Sequence, residues 1–85
     1  MSEALKPIAV ARVVAELEKI SAARRDGALD ADEYEHKFSR MIQELRDRRI
    51  DGSRQEITLA LGGAAAGGKV SQADIDRVIK QLGLV

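Results

Sequence analysis

Three times along this chain a short polar side chain is followed three positions later by an acid, and then by apolar residues at spacings of three and four. Asp30 precedes Glu33, Ser53 precedes Glu56, and Ser71 precedes Asp74. This is the start signal of a helix. The capping oxygen accepts a backbone N–H that the first turn leaves without a partner, and the acid reaches back to the N–H of the cap. The stripes that follow are Tyr34, Phe38, Met41, Ile42 and Leu45; Ile57, Ala60 and Leu61; and Ile75, Val78, Ile79 and Leu82. An earlier stripe, Val10, Val13, Val14, Leu17 and Ile20, has the same period and follows Pro7, a residue suited to the first helical position.

The pattern predicts four helices: residues 7–24, 31–49, a short one opening at Ser53, and a last one opening at Ser71. Gly27 and Gly83 are natural stops, with Leu84 placed for the apolar contact that follows a Schellman turn. Asp51-Gly52 reads as a turn. Gly62-Gly63 is expected to halt or fray the third helix, and the run GGAAAGG at 62–68 to act as a flexible joint. Ile57–Leu61, ITLAL, is the best strand alternative. The expected fold is all-α, one domain, a small four-helix bundle of two hairpins over 7–50 and 53–85.

A candidate internal repeat fits that division, although any capped helix after a glycine turn shows the same pattern. Residues 27–41, GALDADEYEHKFSRM, align with residues 68–82, GKVSQADIDRVIKQL. Gly27 meets Gly68, Leu29 meets Val70, Asp30 meets Ser71, Glu33 meets Asp74, and Tyr34, Phe38 and Met41 meet Ile75, Ile79 and Leu82.

Tyr34 and Phe38 are the two aromatics, so the interior must come from aliphatic side chains and should be thin. Both rings sit on an apolar stripe, and the core is their default place; self-association would compensate for the thin interior, and in a dimer Tyr34 and Phe38 would be the best anchors. Fourteen basic and fourteen acidic residues cancel, which removes net charge as a reason to expect nucleic acid or an anionic membrane. The distribution is uneven: residues 26–35 hold five acids and no base, whereas Arg40, Arg46, Arg48, Arg49 and Arg54 cluster over 40–54. The absence of cysteine fits a reducing cytosol. MSEALKPIAV has neither a basic region nor a long apolar run, so no signal peptide is predicted, and no stretch is apolar enough to span a membrane. The expectation is a cytoplasmic protein.

The segment LEKISAARRDGALDADEYEHKFSRMI, within residues 17–44, resembles the SHOCT family of short bacterial helical hairpins. The residues that carry the resemblance are Ile20, Gly27, Leu29, Asp30, Glu33-Tyr34, Lys37 and Met41-Ile42, while Phe38 stands where that family usually has a polar residue. The resemblance implies a non-enzymatic association module. DGALDADEY and GGKVSQADI also look like the second half of an EF-hand loop. Ala22, Arg24, Gly63 and Ala65 stand where leading carboxylates are needed, so a calcium-incompetent pair is implied.

Other chemistry is fragmentary. Glu33-x-x-His36 matches one element of a di-iron bundle, but a site needs two, and His36 is the sole histidine. GAAAGGK at 63–69 approaches a phosphate loop yet has Val70 in place of the hydroxyl residue. Arg46, Arg48, Arg49 and Arg54 are interleaved with acids and lack stacking aromatics, and the outer face of the last helix carries Asp76 beside Arg77 and Lys80, which weakens a nucleic-acid reading. No catalytic residue and no cofactor is expected. The favoured function is a protein–protein interaction or assembly module, acting through apolar helix faces on a second copy or on one larger protein. Two alternatives stand beside it: a small inhibitor of a larger enzyme or complex, of phage or toxin–antitoxin type, and a nucleic-acid-binding regulator. The candidate interaction residues are Tyr34, Phe38, Arg40, Arg46, Arg48 and Arg49.

Overall fold

A computed structural model describes residues 6–84. Residues 1–5, half of the stretch used to read the amino terminus, and Val85, the last residue of the expected second hairpin, lie outside the described residues. The order is β1 (Ile8–Ala9), α1 (Val10–Arg25), α2 (Ala31–Arg48), β2 (Ile50–Asp51), α3 (Arg54–Ala66) and α4 (Gln72–Gln81). The fold is a small all-α bundle of two helical hairpins, tied by one short strand pair. Its least extent is 19 Å, about two helix diameters, so the helices form two layers around one core.

The three predicted caps form. Asp30 Oδ1 accepts the Glu33 N–H at 2.8 Å while Glu33 Oε1 accepts the Asp30 N–H at 3.1 Å, and Ser53 and Glu56 make the same reciprocal pair at α3. Ser71 Oγ accepts the Asp74 N–H, but the Asp74 carboxylate takes a different partner, described below. The hairpin turns are built alike. Gly27 and Gly68 have φ of +82° and +74°, and each lets two amides bond back onto the helix end: Gly27 to Arg24 and Ala28 to Ala23; Gly68 to Ala65 and Lys69 to Ala64. The same Schellman pattern closes α4 at Gly83, where the Leu84 N–H bonds to the Ile79 carbonyl.

Two local expectations are corrected. The first helix starts at Val10, not Pro7, because Ile8–Ala9 pair in parallel with Ile50–Asp51 and the Ile8 N–H donates to the Arg49 carbonyl. A first helical turn would have left that N–H unpaired; the strand satisfies it. The third helix is neither short nor a strand over ITLAL. It runs through Gly62 and Gly63 to Ala66, so most of the expected joint at 62–68 is regular helix. Packing overrides the low helix propensity of glycine here: Leu61 and Ala64, on either side of the pair, are buried against the core.

α1 lies chiefly against α3, so each hairpin contributes its first helix to the joint between them. Gly52 allows the chain to pass this joint, since a Cβ there would come within 2.7 Å of Val10 Cγ2. Phe38, Leu17, Leu61, Ile75 and Val78 are the fully buried centre, and no buried polar or charged residue interrupts it among the described residues.

Candidate functional site

α2 and α4 are joined by a polar cluster that grips their aromatic neighbours. The Tyr34 hydroxyl donates to Asp74 Oδ2, which is why Asp74 does not complete its capping box. Burial, reinforced by the adjacent carboxylate, pushes the Tyr34 phenol up to about 12. The Ser21 hydroxyl is close enough to act in the opposite direction, but its Oγ is buried and makes no hydrogen bond of good geometry. One turn along, Arg77 Nη1 and Nη2 bond both Glu35 oxygens at 2.8 and 2.6 Å, and the guanidinium lies 4.3 Å from the Phe38 ring centre. The paired guanidinium lowers the Glu35 carboxyl below its usual range.

This placement puts Tyr34 and Phe38 in the core, their default place, and not on a free surface. Phe38 has no exposed surface and Tyr34 is 8% exposed. The partner of their stripe is the other hairpin of the same chain. Leu59 is the one large hydrophobic residue that the described surface fully exposes.

The four candidate arginines are divided between two surfaces. Arg40 and Arg48 border a concavity between α1 and α2, beside Lys37 and against Glu16, Glu44 and Asp47, so its charges cancel. Arg48 is also committed within the chain: its Nε donates to the Lys6 carbonyl at 2.9 Å and Nη1 stands 3.9 Å from Glu44. Arg46 and Arg49 border a different groove of about 410 Å³, at the ends of α2 and α4, lined otherwise by Leu45, Ile50, Leu82 and Leu84. Among the described residues neither arginine has an ion pair or a side-chain hydrogen bond. Ile50, Leu82 and Leu84 are half-buried aliphatics that the core leaves partly uncovered at one place.

A third concavity, about 360 Å³, lies where the two hairpin turns meet and carries Arg24, Arg25 and Lys69 around Asp74. Its main cation serves the fold, because Arg25 Nη1 donates to the Gly68 carbonyl and fastens one turn to the other. The near-match to a phosphate loop belongs to this end, and its backbone is not free to cradle an anion: Gly63–Ala66 are helical and Gly67, Gly68 and Lys69 donate their N–H groups to the end of α3. Glu33, the possible metal ligand, is engaged in its capping box, and no group of three potential ligands comes together among the described residues.

One signal of the groove is legible in the sequence, namely arginines in and just after the last turn of α2. The residues that make its floor were not, since Leu82 and Leu84 belong to the other hairpin. Arg77 was likewise read as part of a solvent face. A scan against family models, a search of curated proteins and a search of solved structures find no match to this chain. No helix of the described residues is long and apolar enough to cross a membrane.

Proposed function

We propose that the chain is a non-enzymatic interaction module that receives a segment of another protein in the groove between the ends of α2 and α4. The observation that carries this reading is the pairing of a partly uncovered aliphatic floor with two arginines that have no ionic partner among the described residues. Apolar area supplies affinity and unpaired charge at the edge supplies orientation, the usual division at protein interfaces. The SHOCT-like pattern over residues 17–44 supports an association role. With Tyr34 and Phe38 buried, the groove is the surface on which the proposal rests. A nucleic-acid role has less support, because no exposed aromatic accompanies the arginines for bases to stack on.

Affinity capture with the whole chain, followed by mass spectrometry, tests this function. One stoichiometric protein, lost when Arg46 and Arg49 are both changed to glutamate, is the expected outcome. A capture unaffected by that change, or one that returns only nucleic acid, would overturn it. Sedimentation equilibrium should give the mass of one chain at micromolar concentration.

A further inference from the structure

Arg49 has φ +69° and ψ 163°, the one non-glycine residue with positive φ among the described residues. Glycine adopts this region without cost, whereas a side chain is strained there. The conformation itself is needed by the fold, because it turns the chain out of α2 while the Arg49 N–H still bonds the Leu45 carbonyl and the Arg49 carbonyl accepts from Ile8. The arginine side chain is not needed for any of these bonds. It is a strained choice in the backbone, and it stands at the edge of the groove whose floor is aliphatic and whose lining charge is of one sign.

We infer that this groove binds an acidic segment of a partner protein. An apolar side chain of the segment rests on Ile50, Leu82 and Leu84, and carboxylates beside it pair with Arg46 and Arg49. The inference rests on the reading above and adds the chemistry of the partner. Charge complementarity selects the occupant: two guanidiniums with no counter-charge among the described residues call for carboxylates, and planar forks bind them two atoms at a time. A second copy of this chain fits less well. Its acidic stretch, Asp26 to Glu35, has its large apolar residues, Leu29 and Tyr34, buried in its own core, so it brings charge without an anchor.

The test is titration of the whole, isotopically labelled chain with a synthetic peptide in which leucines at i, i+3 and i+7 are separated by glutamates, followed by amide shifts. Saturable shifts centred on Ile50, Leu82 and Leu84, weakened by added salt, are expected. A peptide with lysine in place of each glutamate should give none. Arg46→Glu should weaken binding by about tenfold or more. Arg49→Gly should separate the two roles of the position, raising Tm by about 4–8 °C as the strain is released while binding weakens. Shifts elsewhere, equal binding of the lysine peptide, or an Arg49→Gly chain that binds as well as the parent would each overturn the inference. If the peptide fails but capture still yields a partner sensitive to the double arginine change, the acidic chemistry is wrong and the interaction role stands. If both fail, the function itself is wrong.

Discussion

The two hairpins share a turn and differ in what they enclose. Gly27 and Gly68 take the same left-handed conformation and close the same pair of bonds, yet the helix after the first carries Tyr34, Phe38 and Met41 inward, while the helix after the second carries Ile75 and Val78. The first hairpin therefore supplies the aromatic rings and the second the aliphatic side chains that enclose them. Punctuation and packing are separable: one turn geometry serves two interiors, and each hairpin's stripe is completed by the other.

Truncation of bulk should break this asymmetry most strongly. Phe38→Ala removes the largest fully buried side chain and should cost about 3–5 kcal/mol, enough to leave a small domain largely unfolded. Leu61→Ala, its counterpart across the interior, should cost about 2–5 kcal/mol. Urea unfolding checks both, and a loss under 1 kcal/mol at Phe38 would mean that the ring is not in the shared core.

Glycine replacements sharpen the contrast between turn and helix. Alanine at Gly27 or Gly68 should destabilise by about 1–2 kcal/mol, equally in the two hairpins if the turns are equivalent. Alanine at Gly62 or Gly63, where the backbone is helical and an added Cβ meets nothing within 4 Å, should instead stabilise by about 1 kcal/mol. Thermal melts of the four variants read the sign directly, and a loss at Gly63 would mean that α3 does not persist past Leu61.

Tyr34→Phe tests the bond between the hairpins and should cost about 1 kcal/mol at neutral pH. The folded phenol titrates near 12 against 10.0 when free, so the folded state holds this proton more tightly. That contribution is complete below pH 10 and is lost as pH rises to 12. The stability gap between parent and Tyr34→Phe should therefore narrow across that interval, and a constant gap would remove burial as the cause. The smallest effect belongs to Glu35→Gln. The Glu35–Arg77 pair is exposed on its acidic side, so the loss should be below about 1 kcal/mol and should fade with salt. Because the pairing lowers the carboxyl, its share of stability is present above the ordinary carboxylate range and is lost as pH falls through the depressed value.

What was legible in the sequence was local. The caps at Asp30, Ser53 and Ser71 and the stops at Gly27 and Gly83 involve residues within one turn of each other, and each forms as its spacing predicts except that Asp74 turns to Tyr34 instead of reaching back to Ser71. What was illegible depended on residues some forty positions away. Ile8 cannot be assigned to a strand without Ile50, and Gly62-Gly63 cannot be assigned to a helix without the core that holds their neighbours. The stripe of Tyr34 and Phe38 was visible, but a period states only that a face is apolar, not whose atoms cover it. The candidate groove fell between these cases: its arginines were in view, and its floor came from the opposite end of the chain.

The strand pair has a further consequence for assembly in time. Its two halves directly precede α1 and α3, so Ile8 must wait for Ile50, and α1 for α3, before either is fully covered. A nascent chain released only as far as Arg48 has one completed turn and half an interior, with Leu17 and Phe38 open to water. Folding is thus expected to be a single late event with a rate set by this distant closure, rather than one hairpin settling before the next is made.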